Sequence, residues 1–275
     1  MNKIIQKIIS RVFTIIQLFL VRNLSGKSRL VLIDIGANGL KKPIINIAFN
    51  DFKLIGFDPD PRIKIFKHES FKIEFYPFAL SGDNGTRKLY LTEKPHCSSL
   101  KEPVIKDDLR YRVKKVIDVE CRTLDNLNIY ANIMKIDAQG SELDILRNAR
   151  KTLKNIDVVE VEAWFTKKYK GQPRIEQIHK LMSSNGFNFI GFSSLYFGNP
   201  KQKTQVGIEF GDMLFVKNKI KFTNKKFIIS YLITKYHESY IEDLELLKDY
   251  KFIDRLIIYL IMFFGRLKRS SPIIN

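Results

Sequence analysis

The sequence predicts an α/β fold in which a mostly parallel β-sheet is covered by helices on both faces. Runs of consecutive apolar residues recur along the chain, and such runs are typical of strands buried on both faces. Segments of helical periodicity separate some of these runs, and this alternation is typical of parallel sheets. The predicted strands cover residues 30–33, 54–57, 73–78, 116–121, 133–136, 158–164, 188–192 and 213–216.

Two helices between the later strands have recognisable ends. The first begins at Ser141, which has the spacing of a capping box with Asp144. The second begins at Pro173, a residue that the first turn of a helix tolerates, and ends before Gly186. Each helix carries an apolar stripe, formed by Leu143, Leu146, Ala149 and Leu153 in the first and by Ile175, Ile178 and Leu181 in the second.

The two ends of the chain differ from its middle in charge and pattern. The formal net charge is +18, and the first 33 residues contain no acidic residue. Residues 1–24 have the pattern of an amphipathic helix that lies in a membrane interface, and residues 219–275 predict a helical tail that is both basic and apolar. We therefore expect a cytoplasmic sheet domain over residues 25–218, with both ends either in peripheral contact with the anionic inner face of the cytoplasmic membrane or packed against the protein itself.

The composition argues against several classes of protein. The two cysteines, Cys97 and Cys121, form no CxxC pair, which argues against a disulfide scaffold or a zinc ribbon and fits a reducing cytosol. The four histidines are scattered, so no metal site is predicted. The net charge alone would suit nucleic acid, but the central part of the chain lacks a basic stripe studded with aromatic residues, so nucleic acid is not the expected partner.

The segment after the first predicted strand indicates a ligand site. It contains Asp34, Gly36, Asn38 and Gly39, and ligands of open α/β sheets bind at the carboxyl ends of strands. Small residues there let the backbone approach a ligand closely. The G-x-G-x-x-G spacing of dinucleotide sites is missing, which argues against an NAD-dependent oxidoreductase. An acid at Asp34 suits a cationic ligand such as S-adenosylmethionine better than a pyrophosphate.

Two further acids follow predicted strands. Asp58 lies about 20 residues beyond the first turn, where a carboxylate can accept hydrogen bonds from both hydroxyls of a ribose. Asp137 ends the strand over residues 133–136, and its carboxylate could bind either the amine of a methionine moiety or an acceptor hydroxyl. Glu142 lies in the first turn of the following helix, where its charge also suits the helix dipole. Asp34, Asp58 and Asp137 are therefore expected at one edge of the sheet.

From about residue 29 to about residue 217, the ordered set of these segments resembles the FkbM family of methyltransferases. The most specific piece is Lys135-Ile136-Asp137-Ala138-Gln139-Gly140-Ser141-Glu142, which is similar to the family's Lys-Ile-Asp-x-(Glu/Gln)-Gly-x-Glu signature. One departure is Leu40, where such turns often have a glycine, and it bears on how tightly the cofactor binds. The other matching segments are residues 31–39, 56–61, 78–85, 121–125, 159–162, 169–173 and 212–216.

The resemblance implies a Rossmann-like class I methyltransferase sheet, with one antiparallel strand near its end and, in this chain, helical appendages at both termini. It implies S-adenosylmethionine as the cofactor, with Ala79 and Leu80 bordering the adenine. It also implies methyl transfer to a hydroxyl of a small molecule, sugar or glycan, for which a general base would be useful. Asp137, Glu160 and His96 are the candidates for that base. The alternative is a non-catalytic module, binding a membrane surface or nucleic acid, because a fold alone does not fix a function.

Overall fold

A computed structural model of the chain describes residues 29–38, 51–64, 72–197 and 207–219. Gly39, Leu40, the helix predicted at residues 1–24 and the tail predicted beyond residue 219 lie outside the described residues, so these expectations stay predictions. The larger of the chain's two compact units comprises Val31–Lys41 and Lys53–Lys219. No helix in the described ranges is long and apolar enough to cross a membrane.

Ten strands in the described ranges form two sheets. The strands are β1 (Arg29–Ile35), β2 (Asp51–Phe57), β3 (Lys72–Tyr76), β4 (Ala79–Leu80), β5 (Gly85–Thr92), β6 (Val113–Arg122), β7 (Ile133–Ile136), β8 (Val158–Trp164), β9 (Phe187–Phe197) and β10 (Ile208–Lys217). The main sheet has the order β3-β2-β1-β7-β8-β10-β9. Strands β2 and β3, β1 and β7, and β7 and β8 pair in parallel, whereas β10 runs antiparallel to both of its neighbours. This is the Rossmann-like class I methyltransferase sheet, and the prediction of one antiparallel strand near its end is confirmed.

The second sheet corrects the prediction at two places. The run 116–121 was expected among the strands of the main sheet, but it belongs to β6, which pairs antiparallel with β5 and parallel with β4 in a separate three-stranded sheet. Most of β6 is exposed, as its charged residues require. The run 73–78 is also shorter than predicted, because β3 ends at Tyr76 and the chain then turns into β4.

Three helices lie between the later strands: α1 (Glu142–Arg147), α2 (Arg150–Leu153) and α3 (Ile175–Ser184). The single helix predicted from Ser141 is therefore broken into α1 and α2. The break accommodates Asp125, whose carboxylate accepts hydrogen bonds from the backbone N–H groups of Lys151 (2.9 Å) and Thr152 (2.8 Å) in the first turn of α2. The predicted capping box is wrong, since the Ser141 side chain makes no capping hydrogen bond.

The apolar stripes of these helices pack on one face of the main sheet. Leu143, Leu146, Ala149, Leu153 and Ile178 are all buried in one cluster with alternate residues of the central strands. In β8 these alternate residues are Val159, Val161 and Ala163, so Glu160 and Glu162 face the other side of the sheet. Every residue of β8 is buried, so its two glutamates need polar partners.

Candidate functional site

The turn after β1 brings three strand ends together. Gly36 adopts a left-handed conformation (φ +77°), and its N–H donates to the carbonyl of Phe57 at 2.9 Å, as does that of Ala37 at 3.2 Å. A Cβ atom on Gly36 would lie 1.9 Å from the carbonyl oxygen of Asp137. The glycine is therefore required because the ends of β1, β2 and β7 approach one another more closely than any side chain allows.

Asp58 follows β2 and is almost fully buried at this edge. One carboxylate oxygen accepts a hydrogen bond from the N–H of Asn38 (3.0 Å) and the other from the N–H of Asp60 (2.9 Å). Burial raises the pKa of Asp58 to about 6, although these two hydrogen bonds act in the opposite direction. The carboxylate still has lone pairs for hydroxyl donors, since each of its oxygens can accept two hydrogen bonds.

Asp60 has a structural role in the same loop. Its oxygens accept hydrogen bonds from the Arg62 guanidinium at 2.9 and 2.6 Å and from the Ser98 hydroxyl at 2.9 Å. These hydrogen bonds outweigh the effect of burial and lower the pKa of Asp60. The ion pair of Asp60 and Arg62 connects the loop after β2 with the loop after β5, because Arg62 also donates a hydrogen bond to the carbonyl of Thr92 at 2.7 Å.

A cavity of about 620 Å³, counting its open mouth, lies over these strand ends. We call it the Asp58 cavity. None of the described residues that line it is a lysine or an arginine, although the chain carries a net charge of +18. The lining combines acids with an apolar wall: Ile35, Gly36, Asn38, Phe57, Asp58, Pro59, Asp60, Ala79, Leu80, Leu89, Pro95, His96, Ser98, Ser99, Leu100, Asp137, Ala138, Gln139 and Ser141.

A second, wider cavity adjoins the first and is here called the Trp164 cavity. His96, Asp137 and Gln139 line both cavities, so they mark the junction between them. The wall is rich in aromatic rings: Phe210 stacks on Tyr196 with ring centroids 4.2 Å apart and packs at a tilt against Trp164 with ring centroids 4.6 Å apart. The remaining lining residues are Cys97, Ile105, Asp107, Asp108, Leu109, Arg110, Tyr111, Glu162, Lys168, Phe197 and Glu209.

A hydrogen-bonded network crosses the junction. The side-chain amide of Gln139 donates to Asp137 at 2.6 Å and to Glu162 at 2.9 Å. The Tyr169 hydroxyl lies 2.7 Å from the amide oxygen of Gln139 and 3.0 Å from the carbonyl of Cys97. Tyr169 is fully buried, and its hydroxyl group orients Gln139.

Lys135 lies behind this network, on the sheet face opposite the helices. Its ammonium group is 3.6 Å from Asp137 and 3.9 Å from Asp34. Burial alone would lower the pKa of Lys135, but the charges of Asp137, Asp34, Glu160 and Asp212 outweigh burial and raise it. The lysine therefore stays charged and lies beside the Asp137 carboxyl group.

The structure places six of the eight predicted cofactor residues in one cavity and one of them, Asp34, outside it. Gly36, Asn38, Asp58, Ala79, Leu80 and Asp137 all line the Asp58 cavity. Asp34 lines neither cavity, because the alternation of β1 turns its side chain towards Lys135. Gly39 is outside the described residues. Ala79 and Leu80 reach the cavity from the second sheet and not from the end of β3.

Of the candidate bases, Asp137 and His96 are at the junction and Glu160 is not. Glu160 lines neither cavity, and one of its oxygens accepts a hydrogen bond from the Ser193 hydroxyl at 3.0 Å. Its place in the Trp164 cavity is taken by Glu162, which sequence reasoning missed. The signal was present, since both glutamates alternate onto the same face of β8 and Glu162 is nearer the carboxyl end where ligands bind.

Glu142 is buried under the turn that carries Asp137. One oxygen accepts hydrogen bonds from the N–H groups of Ala138 (3.1 Å) and Gly140 (2.9 Å), whereas the other has no hydrogen-bond partner among the described residues. Burial raises the pKa of Glu142 to about 7. The side chain therefore shapes the turn and does not act as an exposed charge at the N-terminus of α1.

We expect Glu142 to make the free energy of unfolding fall as the pH rises from about 4.5 to about 7. In this window the unfolded carboxyl is ionised while the folded one keeps its proton, and the loss amounts to about 3 kcal/mol. Glu142→Gln removes this component, so urea unfolding at pH 5 and pH 8 should give a smaller difference for the variant than for the native protein. Glu102→Gln, at an exposed glutamate, serves as the control. Equal pH dependence in the native protein and Glu142→Gln would contradict the assignment.

No curated protein sequence matches the chain significantly. Three methyltransferases are similar in structure. Magnesium protoporphyrin IX methyltransferase from Synechocystis PCC 6803, solved with bound SAM, is 11% identical, with 77% of this chain and 79% of that one covered at a TM-score of 0.35. Precorrin-6y C5,15-methyltransferase from Geobacter metallireducens is 9% identical, with 73% of this chain and 88% of that one covered at a TM-score of 0.32. An rRNA methylase from Streptococcus thermophilus is 9% identical, with 74% of this chain and 94% of that one covered at a TM-score of 0.32.

The family assignment rests on a domain match. The Methyltransferase FkbM domain matches residues 24–189, which is more than half of the chain and includes both the turn after β1 and the junction of the two cavities. The chain therefore belongs to the FkbM family and is an S-adenosylmethionine-dependent methyltransferase.

Proposed function

We propose that the protein methylates a hydroxyl group of an uncharged sugar or glycan that binds in the Trp164 cavity. The observation that carries this proposal is that Asp137, Gln139 and His96 line both cavities. A methyl donor in one cavity and an acceptor in the other would meet beside these three side chains. Holding two reactants in this way is the main contribution that a protein makes to methyl transfer.

The Asp58 cavity fits S-adenosylmethionine in its chemistry. S-adenosylmethionine supplies a reactive methyl group on a positively charged sulfur. Asp58 offers a buried carboxylate to ribose hydroxyls, and Leu80 and Leu89 offer an apolar wall to a base. Asp137 presents negative charge to a cationic group. The lack of lysine and arginine in the described lining supports a cationic ligand over a pyrophosphate.

The Trp164 cavity fits an acceptor that is polar but not anionic. Both of its cations are paired, since Arg110 contacts Asp108 at 2.6 Å and Lys168 contacts Glu209. The remaining acids give the cavity an excess of negative charge that disfavours a phosphorylated acceptor. Aromatic faces can pack on the C–H face of a sugar ring, and carboxylates can accept hydrogen bonds from its hydroxyls.

Asp137 is the better placed of the two remaining base candidates. Its carboxylate is held by the Gln139 amide at 2.6 Å and by Lys135 at 3.6 Å, so its orientation is fixed from two sides. A fixed carboxylate at the junction can accept the proton of an incoming hydroxyl. His96 lies in the short turn Pro95–Cys97 on the opposite wall, where it can contact the acceptor.

The test is transfer of a labelled methyl group from S-adenosylmethionine to a panel of acceptors. We expect label in neutral sugars or oligosaccharides, with little in their phosphorylated forms or in RNA. Asp137→Asn should lower kcat on the accepted sugar by roughly 10²–10⁴-fold, because the base is lost. Asp118→Asn, at an exposed carboxylate of β6 that lines neither cavity, is the matched control and should change kcat little. Preferred labelling of RNA or of phosphorylated sugars would overturn the proposed acceptor.

A further inference from the structure

Glu162 is a buried carboxyl group at the carboxyl end of β8, with only 5% of the residue exposed. One of its oxygens accepts hydrogen bonds from the amide of Gln139 (2.9 Å) and from the indole N–H of Trp164 (3.0 Å). Both donors are neutral. Among the described residues no lysine or arginine forms an ion pair with Glu162, so its negative charge would lack the compensation that a buried carboxylate needs.

Asp137 lies next to Glu162 but has a different environment. The same amide nitrogen of Gln139 donates to both carboxyl groups, at 2.6 Å to Asp137 and at 2.9 Å to Glu162, so the two carboxyls lie close together. Of these two carboxyl groups, Lys135 forms an ion pair with Asp137, at 3.6 Å. Two carboxylates so close together cannot both be ionised readily, and the position of the lysine decides which of them keeps the charge.

The hydrogen bonds around Gln139 keep its amide in this bridging position. The Tyr169 hydroxyl lies 2.7 Å from the amide oxygen, which orients the amide nitrogen towards the two carboxyl groups. The Ser99 hydroxyl donates to the backbone carbonyl of Gln139 at 2.7 Å, and the residue adopts a left-handed conformation (φ +50°). The pairing of Asp137 with Glu162 is therefore built into the turn after β7.

We propose that Asp137 and Glu162 form a carboxyl pair that holds one proton between them, with the proton on Glu162 and the negative charge on Asp137 before the acceptor reacts. This inference deepens the proposed function and rests on it for the identity of the reaction. The pair provides the base. Glu162 keeps a second negative charge away from the junction, and its proton hydrogen-bonds to Asp137 and fixes which carboxylate oxygen faces the acceptor.

The upward shift of the Glu162 pKa agrees with placing the proton on Glu162. Burial raises the pKa of Glu162 well above its ordinary value, and the charges of Asp137 and Glu142 raise it further. Asp212 from β10 acts in the same direction. Three other titratable groups that face the pair are Cys97, Tyr111 and Tyr169, and burial raises the pKa of each. The cations that face the pair are Lys135 and Lys168, and Lys168 forms an ion pair with Glu209.

The carboxyl pair can take up the proton that the acceptor hydroxyl loses during methyl transfer. The acceptor oxygen forms a bond to the methyl carbon while the carbon–sulfur bond breaks and leaves its electron pair on sulfur. The hydroxyl proton passes to the Asp137 carboxylate. The pair then holds two protons, one of which leaves to solvent through the open Trp164 cavity and restores the starting state.

Trp164 gives a direct readout, because it is the only tryptophan in the chain and its indole N–H donates to Glu162. In the full-length protein labelled with ¹⁵N-tryptophan, the single indole cross-peak should shift with pH, with a midpoint well above the ordinary range of a glutamate. Glu162→Gln should abolish this transition. Asp137→Asn should move it to lower pH, since the neighbouring charge is removed. Asp107→Asn, on the rim of the same cavity, should leave it unchanged.

The proposal is overturned by a midpoint in the ordinary range of a glutamate, or by a transition that survives Glu162→Gln. If Glu162→Gln does not fold, Asp137→Asn decides alone, and an unchanged or higher midpoint in that variant overturns the pair. The titration needs neither a methyl donor nor an acceptor. Failure of the pair is therefore distinguishable from failure of the sugar assignment, which would appear as an intact titration without methylation of any sugar.

Discussion

Asp58→Ala is expected to abolish measurable binding of S-adenosylmethionine and S-adenosylhomocysteine. The buried carboxylate would accept hydrogen bonds from two ribose hydroxyls, and each hydrogen bond to a charged group contributes about 1.5–3 kcal/mol. A loss of about 3 kcal/mol weakens Kd by a factor of roughly 150. Titration calorimetry of the purified protein measures this directly, with circular dichroism to establish that the variant is folded.

Asp60→Asn is the informative control for this change. Asp60 lies two residues away and lines the same cavity, but its oxygens are occupied by Arg62 and Ser98, so its replacement should alter affinity much less. Undiminished affinity in Asp58→Ala, or equal losses in both variants, would show that the ribose binds elsewhere.

Cofactor binding by the native protein should also weaken as the pH falls below about 6, because Asp58 then takes up a proton.

The alternation of apolar runs and helices was sufficient to predict the main sheet. Strands buried on both faces need apolar runs, and β1 has such a run without interruption from Leu30 to Ile33. The second sheet was not predictable in this way, because β5 and β6 are largely exposed and their charged residues hide the alternation. One wall of the Asp58 cavity, including Leu89 and Pro95, was missed for the same reason.

The errors in the site arise from side-chain direction and not from position along the chain. Asp34 precedes the turn by two residues, and the pleat of β1 turns it towards Lys135. Glu160 and Glu162 share a face, but only Glu162 is close enough to the strand end to line a cavity. The burial of Glu142 depends on backbone N–H groups that the tight turn after β7 leaves without partners, and a sequence pattern does not report these.

Gly36→Ala is expected to have the largest effect on stability. The added Cβ atom would lie 1.9 Å from the carbonyl oxygen and 2.8 Å from the carbonyl carbon of Asp137. Both are backbone atoms, so no change of rotamer relieves the overlap, and the ends of β1 and β7 must separate. Together with the strained φ of +77°, this should cost about 3–5 kcal/mol. For a protein of this size the loss lowers Tm by roughly 10 °C.

Gly171→Ala separates the two contributions to that loss. Gly171 has nearly the same backbone conformation (φ +70°), but a Cβ atom there meets nothing within 4 Å. Its replacement should therefore carry only the conformational cost of a left-handed residue, about 1–2 kcal/mol. Thermal unfolding of the two variants side by side gives the cost of the overlap as their difference. Equal losses would mean that the strand ends are not in close contact at Gly36. Asp58 and Asp137 would then lie farther apart than the structure indicates.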